Sequence, residues 1–385
     1  MRDEDIYKQI MAGVYVVSDN IISPIGLTTD ANFEQIKKGV SGIGLHHDTQ
    51  MAALPFYASL FKAGAYADNA VYTKFEQLLI ASIEQALQNT TADIAGSKTG
   101  LIISSTKGNI GLLENNIQTP QLNKRIALHT SANLVAGYFG ITTQPVVVSN
   151  ACISGILGIL TAKRLIESGQ FNTVIVSGAD VISQFILSGF QSFNAISAQP
   201  CRPFDADRDG ITLGEGAATI ILSSNSKYST GVEVTGGSTS NDANHISAPS
   251  RTGEELAQAI NTSLSEAQLL PHQISLISAH GTATLYNDEM EARAITLAGL
   301  KHIPVNSLKG FYGHTLGAAG LLESIMSIKS LKENVILPTP GFKQIGVTTP
   351  INVSSELTTG KLTNCLKTAS GFGGCNGAVI FSKTN

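Results

Sequence analysis

The sequence predicts an α/β fold. Three observations carry that expectation: short runs apolar at every position, helical apolar spacing between them, and no Pro- or Ser-rich linker anywhere in 385 residues. A run that is apolar on both faces suits a strand covered on both sides. Val14-Tyr15-Val16-Val17, Gly100-Leu101-Ile102-Ile103-Ser104, Pro145-Val146-Val147-Val148 and Thr173-Val174-Ile175-Val176 read as such strands. Residues 153–168 read as a helix, with Ile153, Ile156, Leu157, Leu160 and Leu165 near helical spacing and Gly169 as a stop. Gly155 and Gly158 lower its intrinsic stability but let another backbone or a ligand come close. In the second half, Ile274 to Ser278 leads into His280, with a helix expected from Asp288. Val305-Asn306-Ser307 leads toward His314 and an apolar helix through Leu331. Finally, Thr368 to Gly374 runs into a strand, Ala378-Val379-Ile380-Phe381. No fixed-period repeat shows in the letters. The softest boundary falls near Gly231, giving halves 1–231 and 232–385 that are expected to pack tightly.

Composition narrows the class. Only 14% of residues are charged and there is no tryptophan, which suits a protein with much buried surface, often an oligomer. A formal net charge of −4 gives no global attraction for nucleic acid or anionic membrane. The first residues are acidic and lack a signal-peptide pattern, and no apolar run reaches the roughly 18 residues of a membrane helix. The cytoplasm is therefore the expected compartment. Met11 is a second candidate start, which would make the first ten residues an extension. The four cysteines, Cys152, Cys201, Cys365 and Cys375, form no C-x-x-C pair, which argues against a disulfide scaffold or a structural zinc site.

Three separated stretches carry chemistry: Asn150-Ala151-Cys152-Ile153-Ser154-Gly155, Ala279-His280-Gly281-Thr282-Ala283-Thr284, and Lys309 through His314 to Gly320. Cys152 follows a strand and opens a helix, so its sulfur is expected near a positive helix end, which would lower the thiol pKa. A sharp strand-to-helix turn also exposes a nucleophile. His280 and His314 each follow a strand, amid small residues that leave room for substrate. A neutral imidazole there can donate to a developing oxyanion or move a proton. The remaining histidines, His46, His47, His129, His245, His272 and His302, read as surface or packing residues. Two other motifs fail. Asp205-x-Asp207-x-Asp209-Gly210 begins like a calcium loop, but Gly216 stands where the final glutamate is required, so the segment reads as a salt-bridged structural loop. The glycines of residues 371–377 lie too close to the C-terminus for a dinucleotide-binding βαβ unit. Neither metal nor nucleotide is expected.

These motifs resemble the β-ketoacyl-acyl-carrier-protein synthases, the elongating condensing enzymes of the thiolase superfamily. The likeness runs from Ser23-Pro24-Ile25-Gly26 through Arg202-Pro203-Phe204-Asp205, Arg208-Asp209-Gly210 and Gly214-Glu215-Gly216-Ala217 to Gly371-Phe372-Gly373-Gly374. It implies a thiolase-like fold, two similar halves packed as α-β-α-β-α layers. It implies a catalytic triad of Cys152, His280 and His314, with Lys309 holding the site's electrostatics. Cys152 would carry the acyl group, and the histidines would stabilise the enolate formed when malonyl-acyl-carrier protein loses carbon dioxide. The backbone N–H groups of Cys152 and Phe372 match the family's oxyanion hole, where each donor contributes roughly 3 kcal/mol to the rate. Asp288 and Glu291 match supporting acids, with Glu291 able to pair with Lys309. Thr282 and Thr284 match the hydroxyls that hold the pantetheine arm, and Phe372 the mobile gate over the acyl pocket. No resident cofactor is implied, since substrates ride on the phosphopantetheine of a separate acyl carrier protein. The implied assembly is a homodimer or a heterodimer with a related subunit.

Two rivals remain. A thiolase-type acyltransferase would use Cys375, which stands in place of the family's usual threonine, but thiolases place their second cysteine before the glycine run and would leave His280 without a role. A non-catalytic chain-length-factor-like subunit would lack the nucleophilic cysteine, and this chain keeps Cys152, both histidines and Lys309. Initiating synthases carry asparagine where His314 stands. Cys375, Tyr286 and Asn287 depart from the family pattern and imply a specialised pocket, in fatty-acid or polyketide/polyene elongation.

Overall fold

The expected strands join one ten-stranded sheet in the computed structural model, which describes residues 13–67, 69–243 and 249–384. The Met11 start and His245 lie outside the described residues. The first half contributes β1 (Tyr15–Ile22), α1 (Lys74–Gln88), β2 (Thr99–Ser104), α2 (Leu128–Tyr138), β3 (Val146–Val148), α3 (Ser154–Glu167), β4 (Thr173–Asp180), α4 (Gln184–Ser192) and β5 (Gly216–Ser223). The second half contributes β6 (Val232–Asn241), α5 (Glu254–Glu266), β7 (Leu276–Ser278), α6 (Leu285–Leu297), β8 (Val305–Asn306), α7 (Leu316–Glu333), β9 (Asn364–Gly371) and β10 (Cys375–Lys383).

Strand order repeats. It runs β1-β5-β4-β2-β3 in one half and β6-β10-β9-β7-β8 in the other. Strand direction repeats as well. β1 with β5 and β5 with β4 are antiparallel, whereas β4 with β2 and β2 with β3 are parallel. β6, β10, β9, β7 and β8 follow the same scheme. One residue pair, Tyr15 with Glu233, links β1 to β6. The chain is thus a duplicated topology that no repeat of letters reveals.

Residues alternating along each strand feed different cores, which is why the strands are apolar throughout. Ile102, Val174 and Val176 join α3 and α7 in a central core, as do Ala369, Val379 and Phe381 from the other half. Leu101, Ile103 and Ile175 face α1 and α2, while Leu366, Ala378 and Ile380 face α5 and α6. The layers are α-β-α-β-α, with α3 and α7 in the middle.

The glycines of α3 set the spacing of that middle layer. A Cβ on Gly155 would lie 2.3 Å from the Leu321 backbone nitrogen of α7, and one on Gly158 would lie 3.0 Å from Val176 of β4. Gly155→Ala must therefore push two helices apart. We expect a loss of about 3 kcal/mol, read as a lowered denaturation midpoint, with activity falling because α3 and α7 begin at the active site.

Two local expectations need correction. Helix α6 starts at Leu285, not Asp288: Thr284 is its extended N-cap, and Asp288 sits inside the first turn with its carboxylate turned back to the preceding loop. Thr368 to Gly371 belongs to strand β9, and Phe372-Gly373-Gly374 is the turn of a hairpin, made possible by φ values of +87° and +75° at the two glycines. The aspartate-rich loop is held by hydrogen bonds and by the charges around Arg208. Asp205 accepts from the amides of Asp207, Lys343 and Gln344, while Arg208 lies 3.7 Å from Asp288 and 3.6 Å from Glu289. Among the described residues no helix is long and apolar enough to cross a membrane.

Candidate active site

Cys152 and His314 occupy equivalent places in the two halves. Each lies between the edge strand, β3 or β8, and the N-terminus of a central helix, α3 or α7. The turn before α3 is sharp: Ala151 has φ +43°, and Ser154 Oγ accepts from the Asn150 amide at 2.8 Å and donates to the Ala151 carbonyl at 2.7 Å. His314 is fixed by the other half, its amide donating to the Thr212 carbonyl at 2.7 Å and its carbonyl accepting from Gly214 at 3.1 Å. Asp180, at the end of β4, accepts from the Ala318 amide at 3.0 Å and so holds the first turn of α7.

His280 follows β7. Its amide and that of Gly281 donate to the two oxygens of Glu291, each at 2.7 Å, and Thr368 Oγ1 donates to the same carboxylate at 2.6 Å. Asp288 accepts from the Thr282 amide at 3.0 Å and from the Phe204 amide at 2.7 Å. The two acids of α6 therefore shape the histidine loop through its backbone.

The three side chains converge. Their sulfur and nitrogen ligand atoms lie within 4.8 Å of one another, and the imidazole planes are nearly perpendicular with centroids 5.2 Å apart. They line a cavity of about 370 Å³ with Thr282, Thr284, Phe372, Tyr286 and Asn287. Thr282 and Thr284 share a hydrogen bond of 2.9 Å at its wall. Gly371 packs so closely that a Cβ there would lie 2.9 Å from the Cys152 nitrogen. Phe372 stacks on Phe190 with centroids 5.8 Å apart and meets Phe193 at 5.4 Å, and glycines flank it on both sides.

Lys309 is fully buried and donates to Glu323 of α7 at 2.7 Å. This corrects the expected pairing with Glu291, whose oxygens are taken by the His280 loop. Lys309 Nζ is also 3.4 Å from His280 Nδ1. An ammonium has only protons to offer, so this contact favours Nδ1 as the acceptor and the ring's proton on Nε2.

Electrostatics at the thiol also differ from expectation. Burial pushes the Cys152 thiol up to about 12, with Cys375 adding to the rise and Lys309 opposing it. The helix end acts in the same sense as Lys309, but loss of water outweighs both. Cys152 therefore rests as a thiol at pH 7. Burial, Lys309 and Lys367 hold His314 well below the usual histidine range, and burial, Lys309, His314 and Lys367 do the same for His280. Both rings are neutral at pH 7.

That neutrality has a consequence for stability. A histidine with a depressed folded-state pKa stabilises the fold above its unfolded pKa, and this contribution is lost as pH falls. As pH falls from 7 to 5 the unfolded chain takes up protons at both positions that the folded chain does not, so stability should fall across that window. Denaturant titrations across that window test this, and the slope should flatten in a variant carrying asparagine at both positions.

Comparison with known proteins decides the family. The model described as "Beta-ketoacyl synthase, N-terminal domain" matches residues 11–228, and "Beta-ketoacyl synthase, C-terminal domain" matches residues 232–343. The chain belongs to the β-ketoacyl synthase family. Among the synthases similar to it, 3-oxoacyl-[acyl-carrier-protein] synthase 2 of Vibrio cholerae is 29% identical, across 96% of this chain and 99% of the relative. A putative mitochondrial 3-oxoacyl-[acyl-carrier-protein] synthase of Schizosaccharomyces pombe is 27% identical, across 97% and 99%. Among solved structures, the ishigamide ketosynthase/chain length factor superposes with a TM-score of 0.88 at 24% identity, covering 97% of this chain and all of the other. A type II polyketide ketosynthase in complex with its acyl-carrier protein, AntDE:AntF, gives 0.87 at 21% identity, covering 97% of this chain and 100% of that one. These two likenesses carry the ketosynthase fold.

Sequence reading of this β-ketoacyl synthase chain missed Glu323, Lys367 and Thr368. Each left a signal: Glu323 is a lone acid in the apolar run of α7, and Lys367 a lone cation in β9. Of the other histidines, His46 packs on Phe56 and bonds the Ala58 carbonyl at 3.0 Å, while His47, His129, His272 and His302 are exposed. Cys375 lies against the Phe372-Gly373-Gly374 turn. Its thiol donates to the Phe372 carbonyl at 3.5 Å, and burial raises it to about 11.

Proposed function

We propose that this chain elongates an acyl chain by decarboxylative Claisen condensation, with Cys152, His280 and His314 as the catalytic residues. The observation that carries this reading is the convergence of one thiol and two neutral imidazoles on one buried cavity in a β-ketoacyl synthase. Half 1–231 supplies the nucleophile and half 232–385 both histidines.

In the first step Cys152 Sγ attacks an acyl-pantetheine thioester. Its proton passes to the leaving pantetheine sulfur, and the product is acyl-Cys152 with free pantetheine thiol. The Cys152 and Phe372 amides receive the transient oxyanion. Thr282 and Thr284 hydrogen-bond the pantetheine arm, and Phe372 swings to admit the acyl chain. In the second step malonyl-acyl-carrier protein enters. Its carboxylate carbon bond breaks, carbon dioxide leaves, and the electron pair forms an enolate whose oxygen accepts from His280 Nε2–H and from His314. The enolate carbon attacks acyl-Cys152. The tetrahedral adduct expels the sulfur, the thiolate takes from solvent the one proton that decarboxylation of the malonyl carboxylate consumes, and the β-ketoacyl group remains on the carrier protein.

This chemistry needs no cofactor beyond the pantetheine of the carrier, and no metal. Cysteine with two histidines is a donor set that also suits zinc, but the Lys309 ammonium against His280 disfavours a second cation there. Four free cysteines fit a reducing compartment such as the cytoplasm. Its partners in this reading are an acyl carrier protein and a second synthase-fold subunit, identical or related; AntDE:AntF pairs a ketosynthase with its acyl-carrier protein, and ApeO is a ketosynthase in complex with its chain length factor. Intact mass after mixing with a panel of acyl-carrier proteins tests the reading. An acyl adduct is expected, and its absence with every acyl length, with and without a partner subunit, would refute it.

A further inference from the structure

Lys367 has no part in the mechanism above, yet it is completely buried beside the site. It lies on β9, and its Nζ donates to the Ser278 carbonyl at 3.2 Å and the Ala279 carbonyl at 3.0 Å, the two residues before His280. It also meets Glu323 Oε2 at 2.7 Å, while Lys309 holds Oε1 at 2.7 Å. One buried carboxylate thus serves two buried ammonium groups. A charged side chain at such a depth needs a function or a close partner, and half of Glu323 is a lean partner.

We propose that Lys367 is a positioning residue for the condensation: by taking half of the Glu323 carboxylate it leaves Lys309 in excess positive charge, so that Lys309 donates to His280 Nδ1 and fixes that ring as the Nε2–H tautomer facing the cavity. This rests on the role proposed for His280. Without Lys367, both Glu323 oxygens could turn to Lys309 and cancel its charge, and His280 would lose its tautomer lock. The carbonyl contacts add a second restraint, since Ser278 and Ala279 carry the loop that presents His280.

Among the described residues, Cys152, Cys201, His280 and His314 feel the charge of Lys309, and both histidines feel that of Lys367. Lys309 and Tyr312 come from the short helix Lys309–Tyr312, Glu323 from α7, Glu291 from α6, and Lys367 with Cys365 from β9. Glu291 is occupied by the His280 and Gly281 amides and by Thr368, so it cannot replace Glu323. Burial lowers the Lys367 pKa and Glu323 raises it, and the ammonium in turn depresses both histidines. Removing the charge should let His280 and His314 take protons at higher pH.

Two variants separate charge from hydrogen bonding. Lys367→Met removes both, whereas Lys367→Gln keeps a donor for Ser278 and Ala279 and removes only charge. In both, the acid limb of malonyl decarboxylation should move up by about one pH unit, the usual effect of a unit charge nearby. Decarboxylation at pH 7 should fall about tenfold or more, with acyl loading of Cys152 within about threefold of wild type. Nitrogen-15 spectra of histidine-labelled protein should show a single Nε2–H tautomer for His280 in wild type and a mixed one in Lys367→Gln. An Nδ1–H signal in wild type, or an unmoved acid limb in a folded Lys367→Gln, overturns the proposal. Wild type that never loads an acyl group would instead refute the proposed function, so the two failures are distinct.

Discussion

Cys152→Ala should show no acyl adduct with any acyl-carrier protein and should lose condensation by on the order of 10⁴-fold or more, the scale of loss when a covalent nucleophile is removed. Malonyl decarboxylation should survive in the same variant. The alanine methyl fits where the thiol stood, the Cys152 and Phe372 positions keep their amides, and both imidazoles remain. The Cys375 thiol donates to the Phe372 carbonyl, and no adduct is expected on it. Two assays on one sample decide the matter: intact mass for loading, and release of carbon dioxide from malonyl-acyl-carrier protein. An adduct that persists in Cys152→Ala would move the nucleophile elsewhere and reopen the thiolase-like use of Cys375.

His314→Ala should reverse the pattern. It removes one donor to the developing enolate oxygen, which is worth about 10²–10³ in rate for a preorganised donor in a site closed to water. Loading should fall by less than about tenfold, since the oxyanion of that step meets backbone amides instead. His314 Nδ1 is buried without a hydrogen-bond partner among the described residues, so the ring is not committed to a structural bond through that atom. Its backbone is held by Thr212 and Gly214 regardless of side chain, and the variant should fold. Loading and decarboxylation falling by equal factors would contradict the separate roles given to amides and imidazoles.

Much of the site was legible because its parts are local. Cys152, His280 and His314 each stand within a few residues of a strand end and among small neighbours, and both features are written in the sequence. Thr282 and Thr284 come with the same segment. The partner of Lys309 was not legible in this way. Glu291 and Glu323 both lie on helices at plausible distances along the chain, and only the packing of α7 against the site gives the lysine to Glu323. Lys367 was visible as a lone cation in an apolar strand, but a strand position does not say which face it takes or what lies opposite. The start of α6 was placed too late because an acid marks a first turn but not its first residue; the helix begins three residues before Asp288, at Leu285.

By itself, the sequence determined that this chain forms strands covered on both faces, alternating with helices, and that one thiol and two imidazoles sit at strand ends. Apolar periodicity and small residues are short-range properties, and a single chain states them directly. Tertiary structure decided the rest. The same strand order appears twice because hydrogen-bond pairing, not residue identity, defines a sheet. The thiol is raised rather than lowered because burial from every side outweighs one helix end. The ownership of Glu323 by two lysines depends on helix α7, strand β9 and the Lys309 segment meeting in space. Each of these is a sum over neighbours distant in the chain, and no window of sequence contains them.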